Sequence, residues 1–332
     1  MTGVRGHPFG VAVVGATATG KSALAESLAA VLDAEIVCCD SRQVYAELEI
    51  GTGKPSAGER AERPHHLFDA LSLGAHASAG WFARAAGEAC LAIRARGRLP
   101  LLVGGSGLYL RALREGLSPM PPHDPAVRER LRAELASGGA EALHTRLSAV
   151  DPVTAGRVAA RDRQRIVRAL EVAESTGHPL SWWHARTPPR RAEGDTWGVL
   201  EVVVEPVILR ERIAARTSAM FAHGLIEEVG GLIERGLADR LRALRAIGYD
   251  EALELLAGRL GRREAEARVN LRTARLAKRQ RTWFRHQVEA TRLVVAGRGP
   301  EALAVAALEC LRDGRHGCIA RAGDIDSPDL TH

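Results

Sequence analysis

The chain has 332 residues, 46% of them hydrophobic and 26% charged, enough to bury one large core or two moderate ones and too apolar to be a disordered segment. No window approaches the roughly 20 consecutive apolar residues of a membrane span, and the first ten residues hold no long apolar stretch, so a membrane protein is set aside and a cytosolic, cytoplasmic location is expected. A net charge of +6 favours a polyanionic partner such as nucleic acid, and five cysteines without C-x-x-C spacing point to reduced thiols rather than to a disulfide framework or a zinc site.

In chain order, the apolar run 11–14 reads as a buried strand. It leads into Gly15-Ala16-Thr17-Ala18-Thr19-Gly20-Lys21-Ser22 and then a helical pattern over 21–32. The spacing G-x-x-x-x-G-K-S is that of a P-loop: backbone N–H groups cradle phosphate at a helix N-terminus, the Lys adds a point charge, and the Ser22 hydroxyl is placed for Mg²⁺. Of 46 basic residues only Lys21, Lys54 and Lys278 are lysines, so the compact ammonium of Lys21 stands out against an arginine background.

Further apolar runs at 35–39, 67–71, 99–103, 199–204 and 292–295 read as parallel strands, with helices expected over 79–96 and 107–114. This alternation predicts an α/β fold, a P-loop doubly wound parallel sheet with ligands at the carboxyl ends of its strands. It breaks between the Pro-rich stretches at 118–122 and 188–191. The interval reads as helices only, opened by Asp124-Pro125, by Asp151-Pro152 and near Asp162, the last closing at Gly177. The expected organisation is a discontinuous catalytic core of 1–118 and 195–311, a helical insertion domain of 119–194, a helical C-terminal part from 209 to 286, and a disordered tail of 312–332.

The second strand ends in Asp40-Ser41-Arg42-Gln43-Val44-Tyr45, at the same sheet edge as the P-loop. A carboxylate there is a metal ligand or a general base, or else a turn cap. The strand at 99–103 ends in Gly104-Gly105-Ser106-Gly107-Leu108-Tyr109, without the acidic residue that helps hold Mg²⁺ in P-loop ATPases. That weakens a nucleotide-hydrolase reading.

These blocks, with Ile50-Gly51-Thr52-Gly53-Lys54-Pro55, Asp162-Arg163-Gln164-Arg165-Ile166-Val167-Arg168, Gly224-Leu225-Ile226-Glu227-Glu228-Val229, Ala246-Ile247-Gly248-Tyr249 and Ala277-Lys278-Arg279-Gln280-Arg281-Thr282-Trp283, resemble the tRNA dimethylallyltransferases over about residues 9–287. The resemblance implies transfer of a dimethylallyl group from dimethylallyl diphosphate to the exocyclic amine of the adenosine 3′-adjacent to the anticodon. It implies Asp40 as general base, Ser106 (for a usual Thr) and Arg216 near the diphosphate, residues 15–22 holding that diphosphate, and Ser22 with Mg²⁺ as cofactor. The implied partners are the tRNA anticodon stem-loop and the donor, with no membrane and no obligate protein partner. Implied tRNA contacts are Asp40, Ser41, Arg42, Gln43, Ser106, Arg128, Arg163, Gln164, Arg165, Ile166, Val167, Arg272, Arg275, Lys278 and Arg279. Pro206 stands where the family usually has Arg, and Gly53 where it has Ala.

Independently of the resemblance, Arg268, Arg272, Arg275 and Arg279 recur at i, i+4, i+7 and i+11 on one helix face, a stripe able to track phosphates or a solvated face paired with Glu264 and Glu266. Arg163, Gln164 and Arg165 form a second basic cluster. Trp182-Trp183-His184 fits insertion core better than a base-stacking platform and is left unassigned, and His65-His66, with side chains on opposite faces of an extended segment, read as packing or surface residues. Two competing functions share the P-loop: a small-molecule or nucleoside kinase using ATP, and a non-catalytic RNA-binding protein that switches on nucleotide.

Overall fold

The computed structural model describes residues 8–118, 120–186, 196–312 and 319–320. Two compact units form, one of Met1–Arg114 with Glu193–His332 and one of Glu115–Ala192.

The first unit opens with β1 (Gly10–Gly15), α1 (Lys21–Leu32), β2 (Ala34–Cys38), α2 (Ala57–Glu62), β3 (His65–His66), α3 (Ala79–Ala95), β4 (Leu99–Gly104) and α4 (Gly107–Glu115). The second unit holds α5 (Pro125–Val150), α6 (Pro152–Ala155), α7 (Arg163–Thr176) and α8 (Leu180–Arg186). The chain then returns with β5 (Trp197–Val203), α9 (Pro206–Ala222), α10 (Leu225–Glu234), α11 (Ala238–Leu244), α12 (Tyr249–Leu256), α13 (Arg262–Gln287), β6 (Thr291–Val294), α14 (Pro300–Arg312) and β7 (Ile319–Ala320).

The seven strands among the described residues make one sheet in the order β3-β2-β4-β1-β5-β6-β7, and every pairing is parallel. Its centre is buried on both faces because successive side chains of β1 point opposite ways. Val11 and Val13 pack with Leu24 and Leu28 of α1, Ile213 of α9 and Leu303 of α14. Ala12 and Val14 pack with Phe82 and Cys90 of α3, Leu110 of α4 and Phe284 of α13. Each such fully buried Leu or Phe contributes on the order of 1.5–3 kcal/mol. Register aligns Val13 with Val103 and Cys38 with Val103, so the chain exits from β1, β2 and β4 at one edge and delivers residues 15–20, 39–43 and 104–107 to the same place. A third core packs Tyr45 and Leu48 against Leu225, Tyr249 and Val269 of α10, α12 and α13; it anchors the segment after β2 to the C-terminal helices.

The run 67–71 is not a strand. The edge strand is the two-residue β3 just before it, after which Leu67 and Asp69 adopt positive φ (63° and 57°). Left-handed residues turn the chain away from the sheet. The Asp69 carboxylate takes an ion pair from Lys54 at 2.5 Å, and only Leu71 reaches a bridge, to Tyr45. His65 and His66 have separate carboxylate partners, Glu26 at 2.9 Å and Glu35 at 2.6 Å. At the other end of the chain, the expected tail starts as the last residue of α14, Arg312, and supplies the edge strand β7, pairing Arg292 with Ile319 and Leu293 with Ala320; residues 313–318 and 321–332 lie outside the described residues, as do Pro119 and residues 187–195.

Within the second unit, α5 bends at Gly139 (φ 81°, ψ 171°), and Leu131, Leu147, Ile166 and Leu170 form its core. Asp124 caps α5 through Ala126 N and Val127 N, and buried Asp151 accepts from Thr154 N at 3.0 Å and Ser181 N at 2.9 Å, which joins α6 to α8. Trp182 is half-buried, stacked on His178 with ring centroids 4.1 Å apart and covered by the Arg186 guanidinium at 4.6 Å.

Candidate active site

The P-loop closes on itself. Gly15 sits at φ 142°, where a Cβ would meet the Val202 carbonyl oxygen at 2.6 Å, and Gly20 at φ 95° turns the chain into α1. The Thr19 hydroxyl, buried, donates to Ala16 O at 2.9 Å, and Lys21 Nζ donates to the same oxygen at 2.5 Å. Among the described residues no side chain caps α1, and its opening residues Gly20, Lys21, Ser22 and Ala23 line an open cavity, a ready anion site. Burial pulls the Lys21 pKa down to about 8, against the opposing pull of Asp40 and with a smaller downward push from Arg216. The ammonium is therefore charged at neutral pH and close to titrating.

Arg216, on α9, reaches across this loop. Its Nη1 donates to Thr17 Oγ1 at 3.1 Å and its Nη2 to Thr52 O at 2.7 Å. Burial lowers its pKa and Asp40 raises it. Gly53, with φ 60°, leaves room for that guanidinium, since a Cβ there would lie 2.5 Å from Nη2. One turn earlier on α9, Arg212 Nη1 donates to Thr19 O at 3.2 Å. Pro206 begins α9 and lines a separate cleft with Arg210, Lys278 and Arg281, so the second arginine beside the P-loop is Arg212 rather than a residue at position 206.

Asp40 follows β2. Its Oδ1 accepts from Arg42 N at 2.8 Å, so it does cap its own turn while its carboxylate faces the cavities. Ser106 Oγ accepts from Ser41 N at 3.0 Å, and its O–H is left to donate. A residue that the sequence did not single out ties these loops together: Gln280 of α13 accepts from Thr17 N through Oε1 at 2.9 Å and donates from Nε2 to Gly105 O at 3.0 Å. Gly105 leaves room for this bridge, because a Cβ there would displace the Gln280 amide. Trp283, one turn on, covers Gly107 in the same way.

Two cavities meet at this junction. The smaller, about 400 Å³, is lined by the P-loop with Lys21, Ser22, Gln43 and Arg212. The larger, about 640 Å³, is lined by Ser41, Arg42, Ser106, Arg245, Arg275 and Arg279 among others, with apolar Ile213, Met220 and Leu276. Thr17, Asp40, Thr52, Gly105, Arg216 and Gln280 line both. The shape suits two substrates, a phosphorylated one and a larger one, meeting at Asp40. Arg212 was legible in principle as one turn before Arg216 on one helix face; Arg245 carried no local signal, and Gln280 lay inside the 277–283 block without a role of its own.

The basic stripe of α13 divides. Arg268 pairs with Glu264 at 2.8 Å, and Arg272 with Asp250 at 2.8 Å and Glu251 at 2.6 Å, so these two behave as an internally paired face although Arg272 also lines the larger cavity. Arg275 and Arg279 are exposed at that cavity, and Lys278 points to the cleft beside Pro206. In the second unit, Arg163, Gln164 and Arg165 are exposed together at the start of α7, with Arg165 3.5 Å from Asp162. Ile166 and Val167 are buried in that unit's core (0% and 5% exposed), so their side chains pack inward rather than face solvent: the next positions along a helix turn inward. Arg128 lies 3.0 Å from His123 Nδ1, in a cluster with Arg168 and the buried Glu171.

The family model for IPP transferase matches residues 43–287, and that for isopentenyl transferase residues 11–67. A tRNA dimethylallyltransferase of Halorhodospira halophila is 48% identical over 290 residues, 86% of this chain and 93% of that one; one from Salinispora tropica is 47% identical, covering 87% and 89%. The crystal structure of a tRNA isopentenylpyrophosphate transferase from Bacillus halodurans superimposes with a TM-score of 0.63 at 33% identity, covering 91% of this chain and 96% of that one. A eukaryotic dimethylallyltransferase acting on tRNA shares the fold, with a TM-score of 0.75 at 23% identity. A P-loop at the edge of a parallel sheet, an aspartate between two cavities, and relatives alike over most of their length agree, and the chain belongs to the tRNA dimethylallyltransferase family.

Proposed function

We propose that this protein transfers a dimethylallyl group from dimethylallyl diphosphate to the exocyclic amine of the adenosine 3′-adjacent to the anticodon in tRNA. The observation that carries the reading is the shared wall of the two cavities, with Asp40 on it. The diphosphate occupies the smaller cavity, on the α1 amides, Lys21, Arg212 and Arg216. The adenosine, turned out of its stack, enters the larger one, whose rim carries Arg275 and Arg279. The amine nitrogen attacks the allylic carbon, the carbon–oxygen bond breaks, diphosphate departs onto the fixed cations, and Asp40 takes the proton from nitrogen. Positive groups aimed in advance at the leaving diphosphate stabilise charge where it grows.

Mg²⁺ fits this arrangement. The Ser22 hydroxyl opens α1 in the smaller cavity and is exposed, and Mg²⁺ favours sites with one or two protein oxygens completed by substrate phosphates. Among the described residues no cluster of three His, Cys, Asp or Glu offers a ligand cage. When bound, the ion would neutralise diphosphate charge. In the second unit, Arg163, Gln164, Arg165 and Arg128 are the proposed RNA contacts, and Ser41, Arg42 and Gln43 those beside Asp40.

The test is to incubate the purified protein with Mg²⁺, labelled dimethylallyl diphosphate and unmodified tRNA, with ATP in a parallel tube, and analyse the nucleosides. Label on adenosine without ATP supports the transferase. ATP consumption without label on RNA would turn the assignment to a kinase.

A further inference from the structure

We propose that Glu228 is a positioning residue: it clamps the loop of residues 49–53 from behind and so fixes the Thr52 carbonyl that aims Arg216 into the phosphate cavity. The proposal rests on the reading of that cavity as the diphosphate site.

The loop ends in a single 3₁₀ turn, Ile50–Thr52, whose leading N–H groups have no partner inside the turn. Glu228, in the first turn of α10, supplies one. Its Oε1 accepts from Glu49 N at 3.0 Å, its Oε2 accepts from Ile50 N at 2.7 Å, and the Tyr249 hydroxyl donates to Oε1 at 2.5 Å. Both oxygens of one carboxylate thus hold two consecutive amides, a charge-assisted pair stronger than neutral bonds. The Tyr249 ring lies so close over Gly51 that a Cβ there would collide with it, and Gln43 Nε2 grips the front, donating to Thr52 O at 3.2 Å and Gly53 O at 3.0 Å.

The consequence falls on Arg216. Among the described residues no carboxylate pairs with its guanidinium directly, and its side-chain bonds go to Thr52 O and Thr17 Oγ1. A half-buried cation held by one carbonyl and one hydroxyl is only as well placed as the loops that carry them, and the loop of residues 49–53 carries the shorter bond. Glu228 lines neither cavity, so it acts through the loop rather than on the ligand.

The experiment compares the full-length wild type with Glu228→Gln and Tyr249→Phe. Gln cannot offer two acceptors to the two amides, whereas Tyr249→Phe leaves both loop bonds intact. Glu228→Gln is expected to weaken inorganic diphosphate binding and raise the donor KM by about tenfold, with kcat and tRNA KM within about twofold, and to speed amide exchange over residues 46–54. Tyr249→Phe is expected to change the donor KM by less than about threefold. Unchanged diphosphate affinity in Glu228→Gln overturns the proposal, as does a loss spread equally over kcat and both KM values with a lowered melting temperature. If the wild type transfers no prenyl group, the functional reading fails, while the diphosphate titration and the exchange rates still decide the clamp.

Discussion

Replacing Asp40 by Asn isolates its proposed role as base. The amide keeps a side-chain oxygen for the Arg42 N bond at 2.8 Å, so the turn after β2 survives, where Asp40→Ala would give up a bond of about 1 kcal/mol. Proton removal is what disappears. General-base catalysis contributes about 10²–10⁴-fold, or about 3–5 kcal/mol of barrier, so the single-turnover rate with both substrates saturating should fall by that factor while tRNA affinity changes by less than about threefold. A second effect comes through Lys21. Asp40 raises its pKa against burial, which holds it at about 8. The charged ammonium is the form that binds diphosphate, so donor kcat/KM of the wild type should decline as pH rises through about 8. In Asp40→Asn the decline should begin at lower pH. The assay is therefore quenched flow below that decline, with a separate donor pH profile. A single-turnover rate within about threefold of wild type, or a loss confined to tRNA affinity, would refute the base assignment.

Other expectations follow from the contacts. Arg279→Ala should lower the salt dependence of tRNA binding by about one phosphate contact without altering the melting temperature. Arg272→Ala strands the carboxylate of buried Glu251 and should cost about 3–5 kcal/mol in urea unfolding; an intact melting profile would return Arg272 to the RNA. Ile166→Ala opens a hole in the core of the second unit and should cost about 2–5 kcal/mol, read by unfolding of that unit; a loss of tRNA affinity at full stability would contradict its burial. Glu35 is held at about 2, first by its bond from Arg96 and also by His66. Its folded pKa is depressed, so its stabilisation is present above about 4.5 and fades as pH falls toward 2. The urea midpoint should drop across that window in the wild type and less in Glu35→Gln.

The residues of the phosphate end were legible because their chemistry is local. The P-loop is eight consecutive residues, and Asp40 and Ser106 follow apolar strands that could only end at the same edge. Gln280 and Glu228 lie inside the blocks at 277–283 and 224–229, but their roles were hidden because each acts on a segment more than 170 residues away. The stripe on α13 shows the limit of periodicity: spacing put Arg272 and Arg279 on one face, but Asp250 and Glu251 arrive from α12 and neutralise the first alone. Composition is a poor guide at 67–71, where the run is apolar but Leu67 and Asp69 adopt left-handed backbone and Asp69 pairs with Lys54. The same applies to Ile166 and Val167, which sit in a segment matching RNA contacts yet face inward.

The most direct test of an amine meeting an allylic carbon at Asp40 uses two anticodon stem-loops, one with adenosine and one with purine riboside, which lacks the exocyclic amine, at the position 3′-adjacent to the anticodon. With labelled dimethylallyl diphosphate in a single turnover, label should pass to the adenosine loop alone, and the purine loop should bind and compete without being labelled. Label on the purine loop, or on neither while the wild type remains folded and binds both, would contradict the transfer chemistry assigned to this site.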